Sequence, residues 1–84
     1  MRILTLPGVF RPRRDSWLLA WAVADRARAG DAVLDPFAGS GVVAVAAALG
    51  GASATAMDIS RRAVICARLN ARLNGVRMEV RRAG

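Results

Sequence analysis

The sequence predicts an α/β fold: a parallel sheet of about three strands with helices on its faces. Two observations lead there. Short apolar runs alternate with helical patterns in the order helix, strand, helix, strand, helix, strand, and such alternation implies right-handed crossovers and parallel pairing. The run from Val42 to Leu49 has no polar side chain at all, so as a helix it has to be covered by neighbouring elements.

Local chemistry places each element. Residues 3 to 6 can extend until Pro7 and Gly8 stop them. After the loop Arg11-Pro12-Arg13-Arg14, Asp15 or Ser16 can cap a helix that runs through Trp17-Leu18-Leu19-Ala20-Trp21 toward Arg28. Gly30 is its expected end, with Arg26 and Arg28 in the last turn, where the helix dipole favours cations. Ala32-Val33-Leu34 reads as a buried strand ending in Asp35-Pro36. The loop Phe37-Ala38-Gly39-Ser40-Gly41 then feeds the apolar helix, which Gly50-Gly51 terminates.

Ala54 to Met57 is the second strand, closed by Asp58. Ser60 is the expected N-cap of a helix from Arg61 to Leu73. On that helix Arg61, Arg68 and Arg72 share one stripe, while Ala63, Cys66, Ala67 and Leu73 are expected to face the core. Asn74-Gly75 ends it, and Val76 to Arg82 alternates as a third strand with Val76, Met78 and Val80 on one face. The whole, 1–84, is expected to be one domain: a loop and helix over 1–30, then a strand-helix-strand-helix-strand core over 31–84.

Composition narrows the function classes. Hydrophobic residues make up 55% of the 84 and only six are acidic, which excludes a disordered tail. A chain of this length buries a modest core, and much of its apolar content is small alanine and valine. The formal net charge is +7, and all thirteen basic residues are arginine. That balance admits a nucleic-acid partner, although no aromatic side chains are interleaved among the arginines as a stacking surface requires. Cys66 is the single cysteine and there is no histidine, so an internal disulfide, a zinc site and a base-activated thiol are all excluded. Cys66 reads as a small buried hydrophobe. No secretory signal is visible, no apolar run approaches a membrane span, and a cytoplasmic location is the expectation.

The residues that carry chemistry lie at strand ends. Ligands of open parallel sheets bind at the carboxyl ends of the strands. Asp35 closes the first strand and Asp58 the second, 23 positions later. Between them Gly39-Ser40-Gly41 turns into a helix and lets a ligand approach the backbone. A glycine turn after one strand and an acid at the end of the next form a nucleoside-cofactor arrangement, with Asp58 accepting from the ribose hydroxyls. The run Gly39 to Ala44 is also compatible with the alanine-ended dinucleotide fingerprint, so NAD and S-adenosylmethionine both fit the spacing. Asp35 separates them. Its negative charge would repel a pyrophosphate and favour the sulfonium and ammonium groups of S-adenosyl-L-methionine.

The run Val33-Leu34-Asp35-Pro36-Phe37-Ala38-Gly39-Ser40-Gly41 resembles the first motif of class I methyltransferases, and Met57-Asp58-Ile59-Ser60 is similar to their ribose-binding motif. The segment from Ala63 through Asn70-Ala71 to Asn74-Gly75-Val76 is similar to the helix and turn that follow. Upstream, Val9 to Leu19 resembles the Pro-Arg-x-Glu-Thr-x-Leu-Leu stretch of HemK-type release-factor glutamine methyltransferases, through Pro12, Arg13, Asp15, Ser16, Leu18 and Leu19. The resemblance implies a partial Rossmann-like fold and a cofactor site built from Arg13, Asp35, Phe37, Ala38, Gly39, Gly41, Asp58 and Ile59. It implies that Arg13 and Asp15 close over the cofactor pocket.

There are departures from the family. Phe37 stands where it usually has glycine, which brings the motif closer to RNA and DNA amino-methyltransferases. The family's adenine-contacting acid would fall just after Gly84, and its Asn-Pro-Pro-Tyr motif, which binds the acceptor nitrogen, does not occur. The expectation is therefore a truncated, cofactor-binding portion that holds no catalytic residue and no metal and lacks activity alone. Its acceptor would be a nitrogen on a release factor or a nucleic acid. The alternatives are a small basic nucleic-acid binder and a non-catalytic nucleotide-binding module. An unpaired sheet edge also leads us to expect self-association.

Overall fold

Three short strands pair side by side, each turning an apolar face with Val33, Ala54 and Ala56, or Val80, into the core. The computed structural model describes residues 1–82. In chain order the elements are α1 (Arg14–Arg26), β1 (Ala32–Asp35), α2 (Val42–Leu49), β2 (Ser53–Asp58), α3 (Arg61–Leu73) and β3 (Glu79–Arg82). The strands lie in the order β1-β2-β3 and both pairings are parallel, with Leu34 opposite Thr55 and Ala56 opposite Val80. The α/β class and the parallel sheet are as the sequence indicates.

The helices gather on one side of the sheet. α2 touches α1, α3, β1 and β2, while α3 touches α2, β2 and β3. Strand residues alternate accordingly, since successive side chains point to opposite faces. Ala54 and Ala56 are buried under the helices, with Val33 and Val80 packed beside them. On the other face Leu34 is 59% exposed, and Glu79 and Arg81 form an ion pair at the surface.

The core between sheet and helices is largely alanine: Ala38, Ala44, Ala47, Ala52, Ala54, Ala56 and Ala67 lie in one cluster, filled out by Val23, Val33 and Met78. Small side chains bring α2 close to the strands, at the expense of buried area per residue. A second, smaller cluster joins Ala20 of α1 to Val42 and Ala46 of α2. The wholly apolar α2 is covered as expected, with Val42 and every residue from Ala44 to Ala47 buried.

Several local expectations are corrected. The N-cap of α1 is Arg13, without a side-chain bond, so Asp15 and Ser16 lie inside the first turn and do not cap it. There Asp15 places a negative charge near the positive end of the helix dipole. The helix stops at Arg26, short of Arg28, because Ala27 turns extended and the Asp31 carboxylate accepts the Arg28 N–H at 2.9 Å. β3 begins at Glu79 and not at Val76, whose N–H is still bonded to the carbonyl of Ala71 at the end of α3. Leu73 is 49% exposed, and the core position next to it belongs to Asn70, fully buried. With 3.6 residues per turn, the stripe through Ala63, Ala67 and Asn70 continues to Asn74 and leaves Leu73 to one side. Residues 3 to 6 are not part of the sheet.

Candidate cofactor site

The carboxyl ends of β1 and β2 and the loop between β1 and α2 form an open shelf. Two backbone bonds and one side chain fix its shape. The Ala38 N–H donates to the carbonyl of Met57 at 3.0 Å, and the Gly41 N–H to that of Ala38 at 2.7 Å. The Asp58 carboxylate then accepts the Gly39 N–H through one oxygen and the Ser60 N–H through the other, each at 3.0 Å. Asp58 thereby ties the glycine loop of β1 to the turn after β2. Each carboxylate oxygen has two lone pairs, so Asp58 keeps acceptor capacity for a ligand.

Glycine is required at two places in the loop. Gly39 (φ +53°) and Gly41 (φ +84°) both occupy the left-handed region that L side chains disfavour. At Gly41 space is short as well, because a Cβ there would stand 3.0 Å from the Cβ of Ala67 on α3. Gly41 is also the N-cap of α2 and brings no capping side chain, so the first amides of the helix are left to other acceptors.

Asp35 ends β1 opposite Ala56, two positions before Asp58 on β2. Its carboxyl is held above the usual carboxylate range, chiefly by burial and in smaller part by the negative charge of Asp58, while the Phe37 N–H pulls it the other way. Two acids, one poorly solvated, at the mouth of a parallel sheet give a site that favours a positively charged ligand group. Such a donor set fits a cofactor bearing an ammonium and a sulfonium group.

Among the residues marked by the sequence, Asp35, Ala38, Gly39, Gly41 and Asp58 are brought together. Phe37 and Ile59 flank the shelf as open side chains, 88% and 70% exposed. Arg13 is exposed at the head of α1, and among the described residues no hydrogen bond joins its side chain to the loop. The segment before it does reach the site, since the Phe10 carbonyl lies 3.8 Å from where a Cβ of Gly39 would be.

Asn70 is a site residue that the sequence reading missed. Its amide nitrogen donates to the carbonyl of Ser40 at 2.7 Å and to that of Leu4 at 2.8 Å, and its oxygen accepts the Leu4 N–H at 2.7 Å. One turn on, Asn74 grips both the N–H and the carbonyl of Arg2. Asn70 of α3 and Asn74 at its C-cap thus hold the N-terminal segment as a neighbouring strand would, and Asn70 also anchors the glycine loop. Fully buried Cys66 adds its thiol to the Leu4 carbonyl at 3.2 Å. The available signal was a polar residue on the apolar stripe of an amphipathic helix, because a buried amide has to find partners.

A parallel sheet with a glycine loop after its first strand, an acid closing each of the first two strands and crossover helices between is the architecture of the class I S-adenosylmethionine-dependent methyltransferases. The family model described as ribosomal protein L11 methyltransferase (PrmA) matches residues 19–83. The chain belongs to that family. Among solved structures it is similar to Pyrococcus abyssi tRNA (uracil-54, C5)-methyltransferase in complex with S-adenosyl-L-homocysteine, with a TM-score of 0.80 and 25% sequence identity. The match covers 98% of this chain and 21% of that one, so the chain spans about a fifth of the length of that enzyme. No curated protein matches the sequence.

Proposed function

We propose that this chain is the cofactor-binding portion of a methyltransferase and holds S-adenosyl-L-methionine across the carboxyl ends of β1 and β2. Bound there, the cofactor would supply an electrophilic methyl group on sulfur. Asp58 accepts from the ribose hydroxyls with its remaining lone pairs, and Asp35 faces the ammonium group. The backbone from Gly39 to Gly41 runs beside the methionine part, with Ala38 behind it and Phe37 and Ile59 at the sides. Arg13, exposed at the head of α1, closes over the shelf. The observation that carries this reading is the double grip of Asp58 on the Gly39 and Ser60 amides, which prepositions loop and acid before any ligand arrives.

The acceptor is a nitrogen, on a protein or a nucleic acid. The description of the family supports a ribosomal protein. The likeness of Val9 to Leu19 to HemK-type enzymes supports a release-factor glutamine, and the run Asp35-Pro36-Phe37 supports an amino group of RNA or DNA. All three share the cofactor half, and the 84 residues by themselves bind without turnover. Titration calorimetry with S-adenosylmethionine, S-adenosylhomocysteine and NAD tests the reading. The first two should bind and NAD should not compete; absence of heat with both sulfur compounds, or preference for NAD, rejects it.

A further inference from the structure

Away from the shelf, a groove runs between α3 and β3. Its larger part encloses about 430 Å³ over an aliphatic floor of Ile65, Leu69, Met78 and Val80. Arg68, Arg72 and Arg77 surround that floor. Past Ile65 and Arg68 the groove continues into a smaller part of about 280 Å³ beside Arg61 and Arg82. Among the described residues no carboxylate lines either part. Among the described residues the ion pair found is Arg81 with Glu79, so none of these five guanidinium groups is neutralised by an acid.

The groove is prepared for an anion in two further ways. Arg68 donates to the Val80 carbonyl and Arg82 to the Ile59 carbonyl, which fixes two guanidinium heads while most of their five N–H donors stay free. Arg61 sits in the first turn of α3, where no acid is present and the helix dipole opposes a cation. An anionic partner there relieves both charges at once.

The floor decides what kind of anion. Ile65 is 51% and Leu69 40% exposed, and a phosphate backbone would contact the arginines but leave both uncovered. No aromatic side chain lines the groove for a base to stack on. From Arg61 to Arg72 the rim extends about 16 Å at 1.5 Å per residue, the length of three turns of a partner helix. We propose that the α3–β3 groove docks an acidic amphipathic segment of a protein partner. Its aliphatic face lies on Ile65 and Leu69, and its carboxylates pair with Arg68, Arg72 and Arg77 in the manner of a helix set into an apolar groove.

The test uses the 84-residue chain and three fluorescent probes read by anisotropy. One is a peptide of about four helical turns with leucines at i, i+3, i+4 and i+7 and glutamates between them. Another has the same composition scrambled, and the third is an oligo(U) RNA of similar charge. The amphipathic peptide should bind at least about tenfold more tightly than the scrambled one. It should lose about tenfold with Arg68→Glu and Arg72→Glu together, and several-fold with Ile65→Ser, all three positions being exposed. Equal affinity for the scrambled peptide would reduce the groove to bulk charge. Tighter binding of oligo(U), indifferent to Ile65→Ser, would assign it to nucleic acid. Either result overturns the proposal, and the comparison of peptides stands even where a protein variant misfolds.

Discussion

The ends of β1 and β2 each carry an aspartate, and the fold treats the two in opposite ways. Asp58 has an amide hydrogen bond on each oxygen, from Gly39 and from Ser60. Asp35 has the Phe37 N–H and is held above the usual carboxylate range by burial first and by Asp58 second. One acid is thus built into the framework. The other is left under-compensated, its charged form disfavoured by burial. The ends of the two strands carry a hydrogen-bonded anchor at β2 and a poorly compensated acid at β1.

The anchor should be the more costly to remove. Asp58→Ala deletes two charge-assisted bonds across the shelf. At about 1.5–3 kcal/mol for a hydrogen bond to a charged group, discounted for partial exposure, the loss should be about 2 kcal/mol, with S-adenosylmethionine affinity falling at least about a hundredfold. Urea unfolding and titration calorimetry measure the two effects. A larger stability loss from Asp35→Ala than from Asp58→Ala would reverse the comparison. Gly41→Ala probes the same loop without touching charge. The left-handed backbone and the 3.0 Å approach to Ala67 together predict a loss of about 2 kcal/mol. Combining it with Ala67→Gly should cost less than the sum of the two single changes, because one of the clashing atoms is gone.

Much of this was legible because local chemistry and fold agree. Gly39, Gly41 and both acids lie where a strand–turn–helix pattern needs them, and the Ser60 cap over the Ala63 N–H was readable from a hydroxyl just before a helical stripe. What stayed hidden depends on partners distant in sequence. The asparagine clasp joins Asn70 to Leu4, 66 positions away, and no local periodicity encodes it. Asp15 and Ser16 are good capping types, yet the fold begins α1 before them and uses Asp15 as a first-turn charge. That the helices occupy one face of the sheet follows from the strand order, which the element sequence alone leaves open. The fate of Asp35 depends on how deeply the end of β1 is buried, a tertiary quantity.

Ser60→Ala removes one capping bond, 3.3 Å long, and should cost about 1 kcal/mol while leaving the Asp58 bond to the Ser60 amide in place. Cofactor affinity should therefore hardly change, which separates helix capping from the shelf.

Asp35→Asn should have the smallest effect on stability, and in the opposite direction. A carboxyl whose value in the fold lies above its ordinary 3.8 binds its proton more tightly in the folded than in the unfolded chain. Below 3.8 both states are protonated and the penalty is absent. As pH rises through the raised value, ionisation of Asp35 destabilises the fold, and above that value the penalty is complete. At neutral pH the neutral amide escapes it, so Asp35→Asn should raise Tm by up to a few degrees, and the gap to the parent should close under acid conditions. The same variant should bind S-adenosylmethionine more weakly, having lost the charge opposite the ammonium group. In the parent chain affinity should fall as acid protonates Asp35, and in Asp35→Asn that component of the pH dependence should vanish. A variant that is both more stable and a poorer binder would establish that the end of β1 gives up stability for a charge its ligand needs. A variant stabilised with unchanged affinity would place the ammonium group elsewhere and leave Asp58 as the sole acid of the site.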